Sequence, residues 1–291
     1  VLPDVVAVLA CPHCTQSLEQ VGPALRCPAG HSFDLARQGY VALLTGGGQA
    51  ATGDSAAMVA ARARFLDAGH YQPIMDAVAG EVARVQQRHP GGCVLDVGAG
   101  TGHYLAAALE QAPAACGVAV DASKAAAKVA ARAHPRAGSV LADAWRQLPV
   151  ADAAVSVALT VFAPRSAGEL HRALTDDGSL VVVTPTPNHL AELVGPLGLL
   201  HVDERKPERL EQAMQGYFAR RRHTMLEFTM TLRHQDVQDL VGMGPSAFHT
   251  SVAELAERVA GLEDPLTVTA STVVSVYQPL VRVGSAAPQH G

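Results

Sequence analysis

The chain has 291 residues, of which 48% are hydrophobic, 17% charged and 4% aromatic, a composition that excludes a disordered or fibrous protein and a surface built on base-stacking rings. With 22 Lys and Arg against 27 Asp and Glu the net charge is −5, so a polyanionic partner must meet a local patch and not a general positive field. No run reaches the roughly 18 apolar residues of a membrane helix, and Val1–Ala10 carries Asp4 without a basic n-region, so a cytoplasmic address with no membrane partner is expected.

At the N-terminus, Cys11-Pro-His-Cys14 and, twelve residues later, Cys27-Pro-Ala-Gly-His31 supply three thiolates and one imidazole. This is the donor set of tetrahedral zinc, and with all four positions filled by protein it reads as a structural site. His13, inside the first knuckle, is the competing ligand for His31. The stretch to Leu44 is turn-rich, poor in helical periodicity and too short to build a core without a staple. A zinc deaminase is disfavoured, because nothing upstream of Cys11 supplies the H-x-E element.

Thr45-Gly-Gly-Gly-Gln-Ala-Ala-Thr-Gly53 is a linker by composition. Asp54 or Ser55 then caps a helix through Met58, Arg62 and Phe65, and a second helix is predicted from Pro73 to Gln87. After Pro90 come five short apolar runs, Cys93–Val97, Ala115–Val120, Ser139–Ala142, Ala153–Leu159 and Ser179–Thr184. Helical segments lie between them at Tyr104–Gln111, Ser123–Ala133 and Ala167–Leu174, the alternation of a parallel sheet covered on both faces. Thr224–Leu232 and Leu266–Tyr277 read as strands, and Gln235–Gly242 and Val252–Val259 as helices. Cys93 and Cys116 fall on strands and read as buried small hydrophobes.

The first strand ends in Asp96-Val-Gly98-Ala-Gly100-Thr-Gly102, glycines placed where the chain must turn sharply and approach a ligand closely. The G-x-G-x-G spacing is not the G-x-G-x-x-G of a dinucleotide fold. Asp96, Asp121 and Asp143 end successive strands, and three carboxylates there repel a phosphate but attract a nucleoside bearing a sulfonium and an ammonium group. That is the signature of S-adenosylmethionine. The fourth strand continues Leu159-Thr-Val-Phe-Ala-Pro-Arg165 without an N-P-P-Y type motif, which argues against methylation of an exocyclic amine. Trp145 either borders the adenine or belongs to the core.

The two knuckles, Ala36-Arg-Gln-Gly-Tyr-Val41, Gly53-Asp-Ser, Arg64-Phe-Leu-Asp-Ala-Gly-His-Tyr71 and Val97-Gly-Ala-Gly-Thr-Gly102 together resemble the RlmA family of 23S ribosomal RNA guanine-N1 methyltransferases. Asn188-His-Leu-Ala-Glu-Leu193, Gly198-Leu-Leu200, Met243-Gly-Pro-Ser246 and Val161-Phe-Ala-Pro-Arg165 extend the resemblance along the chain, leaning toward the tylosin-resistance (TlrB) group. The resemblance implies an α/β, class I (Rossmann-like) S-adenosylmethionine-dependent methyltransferase fold with an N-terminal zinc-binding module. It divides the chain into a zinc-binding RNA-recognition module at 1–45, a linker and helices covering the cofactor site at 46–90, and a methyltransferase domain on a seven-stranded sheet at 91–291. The implied reaction methylates N1 of a guanine in the hairpin-35 loop of 23S rRNA, which lines the macrolide tunnel, and so contributes to macrolide resistance.

Carried over by motif, Cys11, Cys14, Cys27 and His31 hold zinc. S-adenosylmethionine meets Tyr71, Asp96, Gly98, Ala99, Gly100, Thr101, Gly102, Asp121, Asp143 and His189. The expected partners are 23S rRNA in its hairpin-35 region and a second copy of the chain, with no DNA. On an acidic chain the RNA surface is confined to Arg26, Arg37, Arg62, Arg64 and the run Arg220, Arg221 and Arg222, whose bland alternative is a solvated helix end. Guanine N1 carries a proton that must leave, and His70, His103 and His189 are the candidate acceptors. Two other classes compete: a catalytically silent zinc- and RNA-binding protein, against which the intact Gly98–Gly102, Asp121 and Asp143 speak, and a small-molecule methyltransferase, which would not need a zinc module.

Overall fold

A computed structural model describes residues 2–45, 53–88, 90–199, 203, 205–244 and 251–281. The expected linker lies, apart from its two ends, outside these residues, as do Leu200, Pro245 and Ser246 of the family motifs.

The chain opens with a short helix the sequence did not announce, α1 (Pro3–Val8), with Pro3 and Asp4 in its first turn where proline and a carboxylate are favoured. Three strands of three residues, β1 (Glu19–Val21), β2 (Ala24–Arg26) and β3 (Ser32–Asp34), form a small antiparallel sheet carrying the knuckles. Next, β4 (Tyr40–Ala42) leaves that sheet and pairs in parallel with β7 (Ala137–Leu141) of the large one.

Helices α2 (Ala56–Asp67) and α3 (Gln72–Gln86) follow. Ser55 Oγ caps α2 by accepting from Met58 N–H at 3.2 Å. Helix α3 buries Ile74, Met75, Val78, Val82 and Val85, the spacing of three and four that makes one apolar face. The βα alternation then runs β5 (Cys93–Val97), α4 (His103–Glu110), β6 (Cys116–Asp121), α5 (Lys124–Ala130), β7, β8 (Val155–Val161), α6 (Ala167–Ala173) and β9 (Leu174–Pro185). All residues of β5 and β8 are buried, as continuous apolar runs in a sheet covered on both sides must be. Cys93 and Cys116 are buried, free and opposite one another on β5 and β6. Helices α7 (Ala191–Leu197) and α8 (Lys206–Met214) precede β10 (Phe218–Leu232), α9 (His234–Gly242), α10 (Val252–Ala260) and β11 (Leu266–Pro279). Neither α7 nor α8 was anticipated; α7 contains Pro196 and Gly195, which mask its pattern.

The large sheet has eight strands in the order β10-β11-β9-β8-β5-β6-β7-β4, one more than the seven expected. The eighth is β4, whose three residues satisfy the free edge of β7 and blunt it. Strands β4 to β9 pair in parallel, and β11 runs antiparallel between β9 and β10. From β5 the chain winds one way through β6 and β7 and the other way through β8 and β9, so the crevice outside the carboxyl ends of β5 and β8 is the switch point where such folds bind ligands. Strand β10 begins six residues before its expected start because Phe218–Arg222 pair with the far end of β11. Arg220–Arg222 therefore lie in an edge strand, with a register shift at Arg221, and not at a helix end.

Candidate active site and metal centre

The knuckles bring Cys11, Cys14, Cys27 and His31 together with all four ligand atoms within 4.8 Å of one another. Cys27 Sγ lies 3.3 Å and Cys11 Sγ 3.5 Å from His31 Nδ1, and Cys14 Sγ lies 3.6 Å from Cys27 Sγ. Zinc–sulfur bonds of about 2.3 Å arranged tetrahedrally put ligand atoms roughly this far apart. Burial opposes ionisation of Cys27, but His31, through backbone and ring, holds the thiol down to about 6, toward the thiolate a metal requires. His13 is outside the ligand group: its ring stands against His31 at 4.9 Å and Phe33 at 5.8 Å, which overturns it as a competing ligand.

At the switch point the turn after β5 opens a cleft lined by Asp96, Gly98, Ala99, Gly100 and Thr101, with Asp121 and Asp143 from the ends of β6 and β7. Gly98 has φ +74°, and a Cβ there would stand 2.5 Å from Ala163 Cβ, so the loop after β8 can close on the turn only because the side chain is absent. A Cβ on Gly102, also at positive φ and just behind this turn, would stand 2.8 Å from Ala133 Cβ, so the missing side chain lets the start of α4 pack on the end of α5. Asp121 Oδ2 accepts from Gly100 N–H at 2.8 Å and Oδ1 accepts from Ser123 N–H at 2.7 Å, which fixes the turn while leaving each oxygen a second lone pair for a ribose hydroxyl. Burial raises the Asp121 carboxyl above its ordinary range against these two bonds.

Asp96 is 1% exposed and its Oδ2 has no hydrogen-bond partner. Burial, with the Asp121 charge beside it, pushes its pKa up to about 7. A buried orphan oxygen facing a cleft is the place for an ammonium group, and with the glycine cradle and the carboxylates of β6 and β7 it fits S-adenosylmethionine, the sulfonium donor of an electrophilic methyl. Asp143 accepts from Trp145 N–H at 2.9 Å, and Trp145, 69% exposed, lies on the cleft wall and not in the core.

Helices α2 and α3 stand over the cleft, where the resemblance placed the segment 46–90, and the motif Gly53-Asp-Ser, given no role from the sequence, supplies part of the wall. Gly53 and Asp54 line it, and Ser123 Oγ donates to Asp54 O at 2.6 Å. Arg62, expected at an RNA surface, lines the cleft instead: it pairs with Asp54 and donates to Met243 O at 2.9 Å. Leu66, Tyr104, Met243 and Val161–Pro164 also line the wall; all but Tyr104 fall in motifs of the resemblance, to which the sequence had given no cofactor role.

Tyr71 lines the same cleft and its hydroxyl oxygen is 3.2 Å from His189 Nε2. Ser271 N–H donates to His189 Nδ1 at 3.2 Å, so the neutral ring carries its proton on Nε2 and donates to Tyr71, whose own hydrogen remains free. Burial lowers His189 to about 4 and raises the Tyr71 phenol well above its ordinary value. Phe162 packs tilted against both rings, 6.0 Å from Tyr71 and 5.7 Å from His189. None of the three candidate histidines lines the cleft. His70 packs on Phe65 at 4.8 Å with Nε2 3.3 Å from Asp236 but out of hydrogen-bond alignment, and His103 bridges Thr101 Oγ1 at 2.8 Å and Asp67 at 3.0 Å in a second groove that meets the cleft at Thr101.

The other expected RNA contacts are divided. Arg64 is paired with Asp239, Arg220 with Glu211 and Arg222 with Glu81, while Arg221 donates to Gln278. Arg26 and Arg37 are exposed on the zinc module and have no ion-pair partner among the described residues.

A glycine turn, an orphaned carboxylate and acidic strand ends at the switch point define a class I S-adenosylmethionine-dependent methyltransferase, and the knuckles add a zinc ribbon. The model described as "RlmA, N-terminal" matches residues 9–45, and the one described as "Methyltransferase domain" matches 94–178. A 23S rRNA (guanine(748)-N(1))-methyltransferase of Streptomyces fradiae is 46% identical over 277 residues, covering 95% of this chain and 99% of its own. A Micromonospora griseorubida protein, provisionally named a 23S rRNA (guanine-N(1)-)-methyltransferase, is 49% identical over 294 residues, covering 96% and 99%. The chain belongs to this RlmA family of 23S rRNA guanine-N1 methyltransferases. Among solved structures, a methyltransferase from Geobacter sulfurreducens in complex with S-adenosyl-L-homocysteine is 14% identical with a TM-score of 0.44, covering 70% of this chain and 91% of its own.

Proposed function

We propose that the chain methylates N1 of the guanine at position 748 of 23S rRNA, in the hairpin-35 loop, and that this modification contributes to resistance against tylosin-like macrolides. The observation that carries the target is the likeness of nearly the whole chain, ribbon included, to the Streptomyces fradiae enzyme named for that nucleotide. Residues 1–45 serve as the RNA-recognition module, 46–90 cover the cofactor and 91–291 carry the chemistry. A cytoplasmic address follows from the substrate, and no described helix is long and apolar enough to cross a membrane. The second copy of the chain expected from the sequence has no support in the fold or the relatives, and RNA is the partner we carry forward.

S-adenosylmethionine supplies the methyl when bound. Asp96 holds the ammonium end, Gly98–Gly102 approach the methionine part through their backbone, Asp121 accepts from the ribose and Asp143 lies toward the adenine. Tyr71, its oxygen occupied by His189, turns its free hydrogen into the cleft and orients whatever acceptor lies there. With Nδ1 taken by Ser271 N–H and the ring held to about 4, His189 is a positioning residue and not a base. The N1 proton therefore passes to solvent reaching the cleft, and orientation of the guanine against the sulfonium supplies most of the rate.

The test is methyl transfer to a hairpin-35 transcript and to the same transcript with the guanine at 748 replaced, with a macrolide as third acceptor. Incorporation into the first alone is expected; transfer to the macrolide, or to none with intact cofactor binding by calorimetry, overturns the reading in favour of a small-molecule or a silent RNA-binding protein.

A further inference from the structure

Phe162 combines properties that packing alone does not explain. Among the described residues it is the exposed phenylalanine, at 39%, and it lines the cofactor cleft although a ring of its kind is ordinarily buried. Its φ is +52°, a left-handed conformation that is an outlier for a bulky side chain and that glycine or asparagine takes at less cost. Strain of this kind persists only where the surroundings hold it, and it collects at functional sites.

The fold grips this residue at backbone and ring. Phe162 N–H donates to Val183 O at 3.1 Å, just beyond the last pairing of β8 with β9. The ring packs tilted against Tyr71 at 6.0 Å and His189 at 5.7 Å, two side chains already joined to one another at 3.2 Å. Ala163, the next residue, closes on the turn after β5, where a Cβ on Gly98 would stand 2.5 Å from its own. Phe162 thus stands beside the part of the cleft where the turn approaches the methionine half of the cofactor. Trp145, the other exposed ring on the wall, adjoins Asp143 at the adenine end.

A guanine methylated at N1 carries that atom on its Watson–Crick edge, so it must leave its stack to meet the sulfonium in line. A pocket that receives an extruded base replaces the lost stacking with an aromatic or apolar face. We propose that Phe162 is that face: the target guanine stacks on its ring, which Tyr71 and His189 hold at a fixed angle beside the glycine turn. This rests on the reading of the chain as a guanine-N1 methyltransferase. Every base has a π-face, so Phe162 supplies hold and orientation, and the edge of the guanine is read by other groups.

Phe162→Asn suits the backbone and removes the ring, Phe162→Leu keeps apolar bulk without a π-face, and Phe162→Tyr keeps the ring. Each is compared with wild type for affinity to a hairpin-35 transcript with guanine at the target position and to one with an abasic nucleotide there, for single-turnover methyl transfer, for cofactor affinity by calorimetry and for Tm. Wild type and Phe162→Tyr are expected to bind the guanine transcript about tenfold more tightly than the abasic one. Phe162→Asn and Phe162→Leu should bind the two alike, a coupling of ring to base in a double-mutant cycle. Their methyl transfer at saturating RNA should fall by about tenfold or more, because the base is no longer oriented, with cofactor affinity and Tm near wild type. A preference for the guanine transcript that survives in both ring-less variants overturns the stack. So does an equal weakening of both transcripts with a lower Tm or lost cofactor binding, which marks a ring that only holds the cleft together. Coupling of ring to base in a wild-type protein that transfers no methyl would refute the proposed reaction and leave the stack standing.

Discussion

The zinc ribbon and the cofactor end of the sheet solve the same problem, holding tight turns in place, with different physics. The ribbon has strands of three residues and fixes its knuckles through four ligands to one ion. Its apolar side chains, Val5, Val6, Leu9, Leu18 and Leu25, do not form a core of their own: they pack into the cluster on one face of the large sheet that includes Val118, Val120 and Val140. The cofactor turn rests on strands buried on both faces, and its geometry is held by backbone donors to Asp121. A short segment is fixed by covalent-strength bonds to a metal, whereas a long sheet can support a turn, and even a buried unpaired carboxylate, from its own packing.

Breaking the ribbon should have the largest effect. Removing zinc with a chelator, or changing Cys27 to Ser, should forfeit on the order of 10 kcal/mol of local folding free energy, since a structural zinc site has no preformed counterpart in the unfolded chain. Metal analysis should give one zinc per chain before treatment, and hydrogen exchange should rise throughout β1–β3 and, through β4, at the edge of β7. An exchange pattern untouched by chelation would show that the packing on the sheet suffices.

The cofactor end should respond to pH instead of metal, and two groups there should respond in opposite directions. Asp96 is raised to about 7 by burial, above its value in an unfolded chain, so its contribution to stability is complete below about pH 4 and is lost as pH rises through 7. At pH 8 the unliganded protein should therefore gain up to about 4 kcal/mol from Asp96→Asn, at about 1.4 kcal/mol per pKa unit, while its affinity for S-adenosylmethionine falls. Thermal melts with and without cofactor check both signs; destabilisation of the unliganded variant at pH 8 would contradict the orphaned carboxylate. His189, lowered to about 4, contributes fully above about pH 6.5 and loses that contribution as pH falls through 4. Wild type should therefore lose on the order of 3 kcal/mol more than His189→Gln between pH 7 and pH 3.5, measured by urea unfolding. Equal losses would mean that the ring is not withdrawn from solvent.

Asp121→Ala removes two backbone bonds to a charged acceptor and should weaken S-adenosylmethionine binding by roughly 100-fold, at 1.5–3 kcal/mol for such a bond, with the ribbon and its zinc unaffected. Calorimetry reads this directly, and an unchanged Kd would detach the turn from the cofactor. The smallest effect is expected at Arg220, whose exposed pair with Glu211 contributes about 0–1 kcal/mol. Arg220→Gln should leave both stability and the salt dependence of RNA binding within error, whereas Arg37→Gln on the ribbon should flatten that dependence. The reverse ranking would place the RNA surface on β10.

The sequence by itself determined whatever is local. The ligand spacing of the knuckles, the βα alternation after Pro90, the glycine turn and its carboxylates each depend on residues close together along the chain or on a period set by one element. Cys93–Val97 is a strand with the boundaries its apolar run predicts. Tertiary structure decided what depends on distant neighbours. Tyr40–Ala42 is too short to read as a strand and becomes one because β7 offers an open edge. Arg220–Arg222 looks like a solvated charge run and is drawn into β10 by fourteen pairings with β11. Arg62 reads as an RNA contact until Asp54 and Met243 are folded around it, and the base candidates His70, His103 and His189 are kept off the cleft wall by contacts that form only on folding, with Phe65 and Asp67 of α2 and with Ser271. A cation's role is set by which opposite charge reaches it, and that is a property of the assembled surface.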